Sequence, residues 1–94
     1  MNGVPYAIHI IVSGSVQGIG YRKWVKRHAQ ELGVVGWITN RDDGTVEAVL
    51  QGEMQQVEVL MRAVRNGPFL ANVTAVDLLE ISFDPNIVDF IVIQ

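Results

Sequence analysis

A length of 94 residues predicts one domain, burying roughly 60 to 70% of the surface its unfolded chain would expose. Hydrophobic residues at 49% against 18% charged exclude a disordered tail and require some strands to be apolar on both faces. The absence of cysteine excludes disulfide frameworks, thiolate nucleophiles and cysteine metal sites, and a net charge of −3 argues against nucleic acid as a partner.

The opening Met1-Asn2-Gly3-Val4-Pro5 carries no basic leader, and no apolar run approaches the ~20 residues of a membrane span. A soluble protein of the reducing cytoplasm, with no membrane partner, is expected. Tyr6, Ile8, Ile10 and Val12 then alternate with Ala7, His9 and Ser13, the period of a first strand. Gly14-Ser15-Val16-Gln17-Gly18-Ile19-Gly20-Tyr21-Arg22 follows, with three glycines among nine residues. Such a loop reaches positive φ at several points and lets successive N–H groups converge on one oxyanion, with Arg22 adding a planar charged fork. It is not a nucleotide P-loop, since no Gly-Lys-Ser/Thr closes it, and the dinucleotide spacing Gly-x-Gly-x-x-Gly is absent. The pattern points to a small phosphate. The alternative is a plain strand-to-helix turn with Arg22 solvated.

Val25, Ala29 and Leu32 recur at helical spacing, Trp24 and His28 form a neighbouring stripe, and Gly33 stands where a C-terminal cap belongs. The helix expected over Tyr21 to Leu32 directs its positive end at the glycine loop. Val34 to Asn40 reads as strand two, and Arg41-Asp42-Asp43-Gly44 as a turn. Val46, Ala48 and Leu50 alternate with Thr45, Glu47 and Gln51 in strand three. Met54, Val57, Leu60, Met61 and Val64 make a second helical stripe, ended by Asn66-Gly67-Pro68. Val73 to Ser82 is expected as strand four, Asp84-Pro85-Asn86 as a turn and Val88 to Ile93 as a short last strand.

The order β-α-β-β-α-β with an extra C-terminal strand predicts an α+β, ferredoxin-like sandwich, two helices on one face of a mostly antiparallel sheet. In that topology strands one and two run parallel with strand three between them. Their C-terminal ends then emerge on one edge about 10 Å apart, two strand spacings. Asn40 would hold its amide over the glycine loop, or it simply begins the turn, as asparagine often does.

These residues resemble the acylphosphatase family. The resemblance rests on the loop from Gly14 to Arg22, on Ala29 to Leu32 with Gly33, on Gly36-Trp37-Ile38-Thr39-Asn40 and on Asp43-Gly44-Thr45-Val46-Glu47. It continues through Gly67-Pro68, Ala71-x-Val73 and Phe90-x-Val92, so it spans essentially the whole chain, at the length of a small free-standing member. Ile19 stands where the family usually has valine, Tyr21 where phenylalanine is common, and Thr39 where a basic residue often precedes the asparagine.

The resemblance implies hydrolysis of the carboxyl-phosphate bond of acyl phosphates. It assigns Arg22 as the catalytic arginine and Asn40 as the catalytic asparagine, with Ser15, Val16, Gln17, Gly18, Ile19, Gly20 and Tyr21 as the phosphate-binding loop. It implies no metal and no cofactor. The expected partners are a small acyl phosphate and inorganic phosphate as product or inhibitor, with the protein a monomer. The runner-up is a noncatalytic module of the same fold that binds phosphate or carbamoyl phosphate, like the acylphosphatase-like part of the hydrogenase-maturation carbamoyltransferases.

Other residues are expected to be structural. His9 and His28 lie on different elements, with no acidic partner expected at metal-ligand spacing. Asp42 and Asp43 read as a solvated turn, and Tyr21, Trp24 and Trp37 as packing rather than a base-stacking surface. Ile11, Ile91 and Ile93 are expected on the sheet face away from the helices, as an exposed apolar or self-association patch.

Overall fold

The computed structural model describes residues 3–94; Met1 and Asn2, the start of the stretch expected to carry no basic leader, lie outside the described residues. Seven elements follow in order: β1 (Pro5–Ser15), α1 (Tyr21–Leu32), β2 (Val35–Asn40), β3 (Val46–Glu53), α2 (Met54–Asn66), β4 (Asn72–Glu80) and β5 (Phe90–Ile93). The strands make one sheet in the order β4-β1-β3-β2-β5. Neighbours pair antiparallel, except that β5 joins β2 in parallel. Both helices pack on one face, which is the ferredoxin-like sandwich the element order predicts.

Strand alternation decides which side chains meet the helices. Ile8, Ile10 and Val12 of β1, Val46, Ala48 and Leu50 of β3 and Ile38 of β2 are buried in one core cluster. Val25 and Ala29 of α1 and Val57, Leu60, Met61 and Val64 of α2 complete it, on the stripes expected from their spacing. No described helix is long and apolar enough to cross a membrane.

Two departures from simple alternation share one cause. Ala7 and Gln51 sit opposite each other on the helix-free face, yet each is only 1% exposed. Because β4 and β5 occupy opposite edges, residues 81–89 must cross the sheet, and they cross on that face. The crossing shortens the strands expected there. β4 stops at Glu80 rather than Ser82, and β5 starts at Phe90 rather than Val88.

The Gln51 amide pins the crossing. Its Nε2 donates to the Asp84 carbonyl at 2.7 Å, and its Oε1 accepts the Asp84 N–H at 2.8 Å. The Ile81 N–H adds a bond to the Ala7 carbonyl at 2.9 Å. A buried amide is tolerated here because donor and acceptor are both matched by the backbone of one residue.

The helices are tied by a second compensation. α2 ends before Pro68, so the Val64 carbonyl has no N–H four residues ahead to accept. The buried Tyr21 hydroxyl donates to it instead, at 2.8 Å. Burial raises the phenol well above its ordinary pKa, so it stays a neutral donor. The phenylalanine common at this position could not do this.

Gln51→Leu leaves the Asp84 N–H and carbonyl unpaired and is expected to cost about 2–3 kcal/mol, on the order of 10–15 °C in Tm by circular dichroism. Tyr21→Phe should cost about 1 kcal/mol, or ~5 °C, in the same experiment. A Gln51→Leu midpoint within about 2 °C of wild type would contradict the clamp.

Candidate active site

β3 sets the spacing of the site. Val46 pairs with Val12 of β1 on one side and with Asn40 of β2 on the other. Asn40 and Val12 therefore stand on one rung, two strand spacings or about 10 Å apart. Past Val12 the β1–β4 register shifts between Ser13 and Gly14, a bulge that bends the chain toward the loop.

The loop meets α1 without closing its N-terminus. Gly20 occupies the N-cap at a φ of 77°, no side chain caps the helix, and the first turn holds no acidic residue. The leading N–H groups thus keep their hydrogen-bonding capacity and their partial positive charge for an anion. Gly18 shares the φ of 77°, and at neither glycine would an added Cβ meet an atom within 4 Å. The left-handed backbone, not crowding, demands glycine at both positions.

A cavity of about 320 Å³ opens at this end of the sheet. Val16, Gly18, Gly20 and Tyr21 line it from the loop and helix start, Arg22 and Lys23 from α1, Asn40 from β2, and Val92 and Gln94 from the C-terminal end. Arg22 and Asn40, expected together from topology, share this space. Ser15, Gln17 and Ile19 do not line it. Ser15 belongs to β1 opposite Asn72, and Ile19 packs against the core. Gln17 turns away and braces the loop, its Nε2 donating to the carbonyls of Arg41 at 2.8 Å and Thr45 at 2.9 Å.

Two polar side chains of the cavity, Arg22 and Asn40, differ in state. Arg22 Nη1 donates to the Ile93 carbonyl at 2.9 Å, which orients the guanidinium and leaves its other donors for a ligand. Asn40 Oδ1 is buried and has no hydrogen-bond partner. An unpaired buried amide oxygen costs about 1–3 kcal/mol.

Val92 and Gln94 were not singled out for the site by local pattern. They reach it because β5 pairs in parallel with β2, placing Ile93 opposite Thr39. That pairing spans some fifty residues of sequence, and nothing near Val92 announces it.

His9 has an acidic partner that the sequence spacing does not reveal. Its Nε2 lies 2.7 Å from Glu47 Oε2 on the helix-free face, and Glu47 Oε1 lies 3.8 Å from Arg41 Nη1. His9 faces Val49 and Glu47 faces Ile11, so the pair is a diagonal neighbour in the ladder. Among the described residues no group of three or more His, Cys, Asp or Glu side chains is arranged to hold a metal ion. His28 lies 3.9 Å from Glu31 on its own helix.

Asp43 closes the turn it begins, its Oδ1 accepting from Thr45 Oγ1 at 2.6 Å and from the Thr45 N–H at 3.0 Å. The hydroxyl bond, then the amide, holds its carboxyl below the usual carboxylate range. Tyr21 and Trp24 stack at 6.2 Å on α1, whereas Trp37 lies across the sheet against His9. Ile91 and Ile93 are exposed on β5.

The family model for acylphosphatase matches residues 8–92. An acylphosphatase of Acidiphilium cryptum is 48% identical over 79 residues, covering 84% of this chain and 85% of its own. One from Methylococcus capsulatus is 40% identical over 87 residues, covering 93% and 95%. The crystal structure of acylphosphatase from Bacillus subtilis superposes with a TM-score of 0.90 at 32% identity, covering 95% of this chain and 99% of that one. With sequence and fold agreeing over nearly its whole length, the chain belongs to the acylphosphatase family.

Proposed function

We propose that this chain hydrolyses the carboxyl-phosphate bond of acyl phosphates, releasing a carboxylate and inorganic phosphate without a metal ion. The observation that carries the proposal is the buried, unpartnered Oδ1 of Asn40, a residue that lines the same cavity as Arg22 and the uncapped helix start. A phosphate binder has use for the cation and the N–H groups. An amide oxygen beside them has a use only where a donor, such as a water molecule, is to be held.

The division of labour follows from the chemistry. Phosphoryl transfer passes through a loose transition state with charge spread over three equatorial oxygens. Arg22 and the N–H groups of the loop match that charge from one side. Asn40 accepts a hydrogen bond from the attacking water and aims it in line with the scissile bond. The water oxygen bonds to phosphorus as the bond from phosphorus to the acyl oxygen breaks, and the water protons leave with the phosphate product. An amide is not basic enough to remove a proton, so Asn40 is a positioning group at the reacting atoms rather than a base.

The leaving group needs no help. Its conjugate acid has a pKa near 4, so the carboxylate departs unprotonated and neither general acid nor Lewis acid is required. An alkoxide from a phosphate monoester would require one. In this reading the working unit is a monomer. Inorganic phosphate, which fits the same donors, is expected to inhibit as product.

With chelator present, wild type should hydrolyse benzoyl phosphate, and Arg22→Ala should lose about 10²–10³-fold in kcat/KM together with phosphate inhibition. Asn40→Ala should lower kcat by about 10²-fold while phosphate still inhibits within about two-fold of wild type. Folded wild type that binds phosphate through Arg22 without turning over would make the protein an anion-binding module instead. Phosphoserine and glucose 6-phosphate should release no measurable phosphate, and rates equal to those on benzoyl phosphate would overturn the leaving-group argument.

A further inference from the structure

β4 is the open edge of the sheet. Seven of its nine residues are exposed, whereas β5, at the other edge, begins on the buried Phe90. Such a row of free N–H and C=O groups templates another strand. One bond shows which groups are free. The Ile81 N–H donates to the Ala7 carbonyl, so the alternation of an antiparallel pair turns the backbone groups of Asp77 and Leu79 toward β1 and those of Val76, Leu78 and Glu80 outward. The side chains of the same three residues stand on the helix face of the sheet, opposite Val12, Ile10 and Ile8.

Beside that edge lies a basic flank, and the strand carries the matching charge. A cavity of about 440 Å³ at Leu78 has Glu58, Arg62 and Arg65 on its α2 side, and Arg65 also lines a smaller cavity at residues 73–76. Among the described residues neither guanidinium forms a salt bridge, and neither does the Glu80 carboxylate. The acid thus stands at one end of the exposed edge, past Leu78, and the Arg65 guanidinium beside the other, at Val76. An edge with that arrangement is complementary to itself when turned about a two-fold axis between them.

We propose that β4 pairs antiparallel with β4 of a second copy of this chain about a two-fold axis at Leu78, joining the two sheets into one. In that register Leu78, 43% exposed in the single chain, meets its own copy at the larger cavity, and Glu80 of each copy lies opposite Val76 of the other, beside Arg65. The three outward residues exchange about six N–H···O bonds. Charge and strand length select this register. An axis at Asp77 or Glu80 sets like carboxylates directly opposite, whereas an axis at Leu78 sets Asp77 against Leu79. An axis at Leu79 places Val76 opposite Ser82, beyond the end of β4, and one at Val76 runs the pairing into the bulge facing Ser13 and Gly14. No β4 residue lines the cavity of Arg22 and Asn40, so each chain of the pair keeps a complete site. A ladder confined to residues 76–80 is a small interface, and a Kd on the order of 100 µM is expected.

Sedimentation velocity on the intact chain from about 10 µM to about 1 mM tests the proposal. Wild type is expected to pass from monomer to dimer over that range. Its Val76, Leu78 and Glu80 amides should gain hydrogen-exchange protection at the high end, read by NMR without any substitution. Arg65→Glu and Glu80→Arg, each checked for folding by circular dichroism, should weaken association by about ten-fold or more, because both symmetric contacts become repulsive. Mixed one to one, the two variants should associate as wild type does, since both contacts of the mixed pair join opposite charges. Wild type that stays monomeric at the highest concentration overturns the proposal. So does a dimer that either charge reversal leaves intact, a mixture no tighter than its components, or a dimer in which those three amides gain no protection.

Discussion

Val46 pairs with Val12 on one flank and with Asn40 on the other, and the dimensions of the cavity follow from that rung. Because β3 is antiparallel to both neighbours, β1 and β2 point the same way and deliver their C-terminal ends to one edge. One end continues into the glycine loop and α1, the other stops at Asn40. A slip of one residue in either register would turn Asn40 or the loop entry to the opposite face. The buried alternation of Val46, Ala48 and Leu50 against Ile38 and Ile10 resists that slip, so core packing and site geometry are the same constraint.

The fold satisfies its awkward polar groups with care everywhere except at the cavity. Gln51 exchanges two hydrogen bonds with the Asp84 backbone, and Tyr21 supplies the donor that Pro68 denies to Val64. Among the described residues, Asn40 Oδ1 is the one buried side-chain polar atom left without a partner. Natural structures rarely leave such an atom without a partner, and Asn40 lines the same cavity as an uncapped helix start and an arginine. The same logic links distant parts. The Gln51 clamp holds the crossover, the crossover carries β5 to its edge, and β5 presents the carbonyl that orients Arg22.

Charge is organised on a similar local scale. Counting residues makes the protein acidic, and the count hides the basic stretch of α1 that lies along the cavity and a neighbouring groove. The opposite face concentrates different chemistry, with His9 paired to Glu47 and Trp37 packed edge-on beside them. Within a Debye length of ~10 Å a ligand responds to the nearest cluster rather than to the sum.

Periodicity and punctuation in the sequence determined the elements, the buried stripe on each, the glycine loop and the order that makes a ferredoxin-like sandwich. These are local properties, set within a few residues by side-chain alternation, helical spacing and the φ angles open to glycine. That Arg22 and Asn40 reach one edge of the sheet was legible because the topology that joins them follows from element order, whereas their proposed roles rest on the family resemblance. The tertiary structure decided what depends on partners far along the chain: the path of residues 81–89, the burial of Gln51 on a face its pattern marks as polar, and the turning of Gln17 from the cavity to the hairpin. It likewise decided the His9–Glu47 pair, a diagonal contact invisible until the register is known, and the arrival of Val92 and Gln94 at the site. Short-range sterics write themselves into sequence spacing, whereas a hydrogen bond across thirty or more residues leaves no trace until the chain has closed.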